Sequence, residues 1–240
     1  MKILAVIPAR GGSKRIPHKN IKSFEGRPII GYSIDVAKQS GLFDEVMVST
    51  EDNEIAEIAK NLGASIPFLR SNDTAGDKCG LAEVILEVID SYSKIGREFD
   101  YCCCIFAAAP FITIERLKEA FDKIVLKNYD SVMPIIPYPV PIQQAFKLIP
   151  ESDTVEMFFD DQAGIMTQDY VPSFYDAGQF YWINIERLKV KGRIDGENTG
   201  AIILSELEAH DIDTEDDWKI AEQKYSYIKN SNQEIKSKKV

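Results

Sequence analysis

Residues 7–20 read IPARGGSKRIPHKN, which places two adjacent glycines, two prolines and four Lys or Arg side chains directly after an apolar run. Gly11 and Gly12 permit φ > 0 and a close backbone approach to a ligand. Their amides, with that of Ser13, are expected to form a concave anion cradle. Arg10, Lys14 and Lys19 carry the charge needed to bind a triphosphate and to stabilise a leaving pyrophosphate. The spacing matches neither G-x-x-x-x-G-K-[ST] nor G-x-G-x-x-G, which weighs against a P-loop ATPase and a dinucleotide-dependent oxidoreductase. A solvated basic loop is the plainer alternative. Two glycines and two prolines among four cations, however, specify a shape as well as a charge.

A second constellation lies near the other end of the chain, Asp211-Ile212-Asp213 followed by TEDD. On a strand, Asp211 and Asp213 face one way while Ile212 points into the core. Two adjacent carboxylates suit a hard cation, and Mg2+ commonly takes one or two protein carboxylates with phosphate oxygens. Held there, it would neutralise an α-phosphate and position an attacking hydroxyl. The plainer alternative is that Asp213 or Thr214 caps the last helix, with Thr214 and Asp217 forming a box-like pair. The two histidines receive lesser roles: His18 contacts phosphate or solvent, and His210 faces away from Asp211. With only two histidines, no Ser/His/Asp triad is expected.

These residues need a scaffold, and the periodicity supplies one. Residues 2–8, 45–50, 101–107, 131–136 and 178–183 read as strands. Helical spacing covers 28–39, 53–62, 81–93, 114–126 and 215 to about 228. Residues 65–69 are expected to add a short strand. Such alternation calls for a three-layer, doubly wound, mostly parallel sheet, which binds ligands at the carboxyl ends of its strands. The alternation breaks between about 137 and 185, where PYPVP and short β-like runs at 145–149 and 155–159 suggest a β insertion. The expected domain is residues 1–228, with a frayed polar tail over 229–240.

The totals agree with one globular unit. The chain has 240 residues, 45% of them hydrophobic, and a formal net charge of −10. That charge argues against a nucleic-acid partner. Residues 1–24 nevertheless carry Lys2, Arg10, Lys14, Arg15, Lys19 and Lys22 and no acid, so one local anion site is expected on an acidic protein. No apolar run is long enough to span a bilayer, so no membrane partner is expected. The first residues read as a strand and not as a secretory leader, and a cytoplasmic location is expected. Cys102, Cys103 and Cys104 are consecutive on a strand, so they alternate between faces and cannot close a metal site.

IPARGGSKRIPHKNI resembles the signature of the acylneuraminate cytidylyltransferases, and DIDT-x-x-DW resembles their ending. Within that family DAGQFYW (176–182), PIQQAFK (141–147), VSTED (48–52) and PFLR (67–70) resemble the branch that activates pseudaminic acid. The resemblance covers residues 3 to about 225. It implies the nucleotide-diphospho-sugar transferase type of fold, a CTP substrate, an acidic nine-carbon sugar as acceptor, and Mg2+ as cofactor. Arg10, Gly11, Gly12, Ser13, Lys14, Lys19 and Asn20 match the nucleotide- and phosphate-binding loop, with Arg10 and Lys19 counted as catalytic. Arg70 and Ala75 match positions that recognise the cytosine. Asp211 and Asp213 match the metal ligands, Asp211 lying nearer the attacking hydroxyl. Asp176, Gln179 and Tyr181 match the sugar site. The resemblance also implies a homodimer in which a dimerisation arm over about 138–175 reaches across to the partner.

The pattern departs at Ala108, where a threonine is usual before Ala-Pro, and at Cys79 and Leu81, where threonines are usual. Met166 and Gln144 replace basic residues. These departures bear on the acceptor sugar. They keep open a legionaminic, neuraminic or Kdo acceptor, or a nucleotide- or sugar-binding member without catalysis.

Overall fold

The computed structural model describes residues 1–76, 79–162 and 164–237, with side chains through residue 231. Strand β1 (Ile3–Pro8) leads through the basic loop to a hairpin of β2 (Ser23–Phe24) and β3 (Arg27–Pro28). There follow α1 (Ile30–Ser40), β4 (Glu45–Ser49), α2 (Asn53–Asn61), the single turn α3 (Asn72–Ala75), α4 (Leu81–Lys94), β5 (Tyr101–Ile105), α5 (Ile114–Lys127) and β6 (Ser131–Pro137). An arm carries β7 (Phe146–Ile149), β8 (Thr154–Met157) and β9 (Phe174–Asp176). The chain ends with β10 (Phe180–Asn184), α6 (Ile185–Lys191), β11 (Thr199–Ile203) and α7 (Glu215–Ser237).

The main sheet runs β11-β6-β10-β5-β1-β4, with β9 paired to β6. β1 is parallel to β4 and β5, and β11 is parallel to β6, while β10 runs antiparallel to both of its neighbours. The expected mostly parallel, three-layer architecture is present. Alternation along β1 explains it. Ile3, Ala5 and Ile7 pack with Ile34 of α1, Ile55 of α2 and Leu117 of α5, whereas Leu4 and Val6 pack with Ile85 and Val88 of α4 and Leu188 of α6. The cysteine triplet obeys the same rule, with Cys103 on the first face and Cys102 and Cys104 on the second, all buried and free. A third cluster, Ile16, Phe24, Ile29, Phe111, Ile212 and Trp218, fastens α7 onto the β2–β3 hairpin.

Several local expectations change. Pro28 belongs to β3, and the first helix starts at Ile30. Glu25 (φ 48°) and Gly26 (φ 88°) make a two-residue turn with both φ positive, the geometry that suits a tight hairpin. Residues 65–69 form no strand, only a single bridge from Ser65 to Met47. Pro67 within this stretch has no N–H to give to a ladder. α6 and β11 were not anticipated, and α7 runs past residue 228 to Ser237. Residues 238–240, the last of the expected frayed tail, lie outside the described residues. Asp211-Ile212-Asp213 belongs to no strand. Its alternation survives: Ile212 is buried while Asp211 and Asp213 face outward.

Trp182 is fully buried, stacks on Phe43 at 5.3 Å between centroids, meets Phe121 at 4.6 Å and donates from Nε1 to the Leu117 carbonyl at 3.0 Å. Truncation leaves a cavity and removes that hydrogen bond. Trp182→Ala is expected to lower stability by about 3–5 kcal/mol, read from the urea midpoint at constant slope.

Candidate active site

Following β1 to its carboxyl end leads into a cleft of about 750 Å³, walled by residues from six different segments. Arg10, Ser13, Lys14, Arg15, Lys19 and Asn20 line its centre. Arg70, Thr74 and Gly76 stand on the β4 side with Cys79, Leu81 and Val84 of the α4 approach. Asp176, Gly178, Tyr181, Asp211 and Asp213 stand on the β10 side. The lateral order follows the strand order, since β1 lies between β4 and β5 and β10 lies beyond β5.

The basic loop is held from several directions. Asn20 donates from its side-chain amide to the Arg10 carbonyl at 2.9 Å, closing the loop on itself. Arg15 and Lys19 reach the same Asp213 oxygen, at 2.8 and 3.6 Å. Lys22 pairs with Glu215 at 2.6 Å and lies 4.6 Å above the Trp218 ring, which ties the loop's exit to the start of α7. The expected amide cradle is altered. The Gly11 amide donates to Glu51 Oε1 at 2.8 Å and the Ser13 amide to the Gly11 carbonyl at 3.0 Å. Glu51 lies two residues beyond the end of β4, and its carboxylate satisfies the part-buried Gly11 amide from within the protein. Gly11 is obligatory for a second reason, because a Cβ there would come within 2.4 Å of the Asp52 carboxylate. His18 takes a left-handed φ of 51° at the start of a short 3-10 turn and is not part of the cleft wall.

On the β10 side, Asp176 accepts from the Gly178 amide at 2.9 Å and from the Tyr181 hydroxyl. Burial first, and then that bond to Asp176, pushes the Tyr181 phenol far above its ordinary value. Gln179 departs from expectation. It is 2% exposed, lies outside the cleft wall, and donates its side-chain amide to the Glu208 carbonyl at 2.6 Å. β10 begins at the next residue, so Gln179 belongs to the turn before the strand, where its side chain meets the Glu208 backbone while Tyr181 lines the cleft. Ala75 likewise sits between two wall residues, Thr74 and Gly76, without being one.

Asp211 and Asp213 lie in a segment without a ladder, and side chains replace the ladder. Lys224 of α7 donates to the Ala209 carbonyl at 2.8 Å, and Asp217 accepts from the Asp213 and Thr214 amides at 3.1 and 2.7 Å. Arg116 of α5 grips Glu208 through two bonds, at 2.7 and 3.1 Å. Gly178 (φ 63°) abuts Asp211 so closely that a Cβ would lie 3.2 Å from the carboxylate carbon. Burial, and then the neighbouring Asp213, raises the Asp211 carboxyl above its ordinary value, with Lys19 opposing. Asp213 is the carboxylate paired with Arg15 and Lys19.

The remaining sequence departures sort by place. Cys79, Leu81 and Ala108 line the cleft, with Phe106 and Ala107 beside them. Gln144 and Met166 lie on the arm, where Gln144 donates to Thr167 at 3.2 Å and Met166 is exposed. Burial, and then the charge of Lys224, depresses the His210 imidazole. His210 forms no part of the cleft.

A parallel sheet whose strand ends set a cationic loop across from two carboxylates defines a nucleotidyltransferase type of α/β protein. Solved structures agree at the level of the fold. A CMP:2-keto-3-deoxy-manno-octonic acid synthetase complexed with CTP superposes with a TM-score of 0.70 at 15% identity, over 95% of this chain and 99% of that one. The sequence goes further, because the profile described as Cytidylyltransferase matches residues 4–184. The chain belongs to the cytidylyltransferase family. Pseudaminic acid cytidylyltransferase of Campylobacter jejuni is 36% identical over 221 residues, covering 92% of this chain and 95% of that protein. CMP-N,N'-diacetyllegionaminic acid synthase of Legionella pneumophila is 32% identical over 229 residues, with the same two coverages.

Two outcomes are expected. Gly178→Ala keeps the fold by circular dichroism but displaces Asp211, and steady-state turnover falls on the order of tenfold or more. The second concerns acid stability. Arg116 above all holds the Glu208 carboxyl at about 2, below its ordinary 4.5. A depressed carboxyl contributes stability above the unfolded value, and that stability disappears as pH falls from 4.5 toward 2. Arg116→Leu should therefore lower stability at pH 7, read from the urea midpoint at constant slope, by about 1–2 kcal/mol for this partly exposed pair. The gap from wild type should close as pH approaches 2.

Proposed function

We propose that this protein transfers a cytidylyl group from CTP to pseudaminic acid, releasing pyrophosphate. The carrying observation is Lys19, which lines the cleft beside Arg10 and Lys14 and stands 3.6 Å from Asp213. It joins the loop that suits a triphosphate to the carboxylates that suit the reacting hydroxyl. The full-length similarity to the C. jejuni enzyme supports the same choice of sugar.

The sugar's anomeric oxygen attacks the α-phosphorus, the bond from that phosphorus to the bridging oxygen breaks, and pyrophosphate leaves. Arg10, Lys14 and Lys19 offset the charge on the leaving group, and most of the acceleration comes from positioning and electrostatics. Among the described residues Asp211 makes none of the ion pairs that engage Asp213, burial raises its proton affinity, and it receives the hydroxyl proton. Asp211 and Asp213 bring hard carboxylate oxygens to the same side of the cleft, a donor chemistry that fits Mg2+. When bound, the ion supplies charge neutralisation at the α-phosphate. Asp176 and Tyr181 would hold the acceptor on the β10 side, with Gln179 acting behind them.

The arm supports a second copy of this chain as partner. Phe146, Leu148, Val155 and Phe158 are 59%, 60%, 61% and 61% exposed on or beside the β7–β8 hairpin, which pairs only with itself. Apolar side chains gathered in this way mark an interface. The cytoplasm fits a CTP-dependent protein with three buried, unpaired thiols. No described helix is long and apolar enough to cross a membrane.

The decisive assay measures pyrophosphate release from CTP and Mg2+ with pseudaminic, legionaminic or N-acetylneuraminic acid. Release is expected with pseudaminic acid and is expected to fall about a hundred- to thousandfold in Asp211→Ala. Release with another sugar alone would replace the acceptor, and CTP binding without release from any sugar would make this a binding member of the family. By sedimentation equilibrium the protein is expected to be a dimer, and Phe146→Asp with Leu148→Asp a monomer.

A further inference from the structure

On the β4 side of the cleft, the wall from Arg70 to Gly76 has almost no structure of its own. α3 is one turn long, and the residue at its N-cap, Ser71, makes no side-chain cap. A single turn cannot sustain itself, because nucleation fixes several dihedrals for one hydrogen bond. Arg70 is anchored to β4: its amide donates to the Thr50 carbonyl at 2.9 Å, Nε to Ser49 Oγ at 3.1 Å and Nη2 to the Ser49 carbonyl at 2.5 Å. Among the described residues Nη1 has no hydrogen-bond partner, and Arg70 lines the cleft. The turn that follows Arg70 is anchored by another element.

Glu87 of α4 supplies that anchor. Its Oε1 accepts from the Ser71 amide at 2.8 Å and its Oε2 from the Thr74 hydroxyl. In an ordinary capping box the third residue of the helix reaches back to the first amide itself. Thr74 holds that position here, and the carboxylate of a different helix makes the bridge. α4 can serve as a fixed post because Val84, Ile85, Val88 and Ile89 are buried against the sheet. Although burial raises the Glu87 carboxyl, bonds from Thr74 and Ser71 bring it below its ordinary value, so it is ionised at neutral pH.

The position of this wall fixes what it reads. The triphosphate loop occupies the centre of the cleft, and the carboxylate pair and Asp176 occupy the β10 side. The α-phosphate must face the attacking hydroxyl on that side, so the base is directed toward β4, against Arg70, Thr74 and Gly76. We propose that Glu87 is a positioning residue for nucleotide selection, holding Ser71 and Thr74 so that the Arg70–Gly76 wall distinguishes cytosine from uracil. The proposal rests on the CTP-dependent reading above. A wall of hydrogen-bonding groups discriminates between bases only while its donors and acceptors keep their places.

The test is equilibrium binding of CTP and UTP to wild type, Glu87→Gln and Glu87→Ala, with kcat and KM for CTP measured alongside. In Glu87→Ala, CTP affinity is expected to fall about tenfold, the preference for CTP over UTP to shrink by a similar factor, and kcat at saturation to stay within about twofold. Glu87→Gln, equal in size but able to accept only one of the two bonds, should shift the same way by less. It stands in if the alanine variant does not fold. Unchanged affinity and preference in both variants, or loss of kcat with KM unchanged, would overturn the proposal. A wild type that binds neither nucleotide would overturn the CTP reading itself, and this inference with it.

Discussion

The structure depends on a meeting of opposite charges drawn from the two ends of the chain. Arg15 and Lys19, shortly after the first strand, converge on one oxygen of Asp213, close to the last helix. Neither group is comfortable alone. The basic loop gathers cations with no acid among residues 1–24, and Asp211 and Asp213 stand side by side. Each cluster relieves the other, and the pairs are exposed enough that their net contribution to stability is small. Their value lies in register. Loop and carboxylates must face each other before a ligand arrives, and a charge pair that bridges 198 positions in sequence sets that spacing.

The surrounding scaffold meets the same need by less direct means. The carboxylate segment has no strand neighbour, so Lys224, Asp217 and the Arg116–Glu208 pair hold its backbone from α7 and α5. Gln179 joins the turn before β10 to the carbonyl of Glu208, which ties the Asp176–Tyr181 side of the cleft to the segment leading to Asp211. Its buried amide would be costly without that partner. On the nucleotide side, Glu51 binds the Gly11 amide and Glu87 binds the turn after Arg70. Groups that read as ligand contacts in the sequence thus rest on a ring of residues that touch no ligand.

What the sequence made legible follows from periodicity and composition. Alternation placed Cys102, Cys103 and Cys104 on opposite faces, and helical spacing found α2, α4 and α5 within a residue or two. The basic loop and the aspartate pair were visible because their residue types are improbable together without a shared anion or cation. What stayed hidden depends on tertiary partners. Glu87 looks like an ordinary polar position on an amphipathic helix until Ser71 and Thr74 come beside it. Asp211-Ile212-Asp213 has the alternation of a strand, yet a ladder needs a neighbour that no local pattern reveals. Glu25 in a left-handed turn defied the usual expectation of asparagine or aspartate beside the glycine, and so the β2–β3 hairpin went unread.

The reversed strand has a further consequence. Because β10 runs against its neighbours, its first residue, Phe180, lies at the same end of the sheet as the last residue of β6, Pro137. The excursion between them leaves and returns through one doorway at the rim of the cleft. Only its final strand, β9, is stitched to the main sheet. The roughly thirty-five residues before β9 form a cassette, open to lengthening, recolouring or exchange without disturbing Asp176, Gly178 and the strands behind them. A protein built in this way can change the company it keeps while the machinery behind the doorway stays as it was.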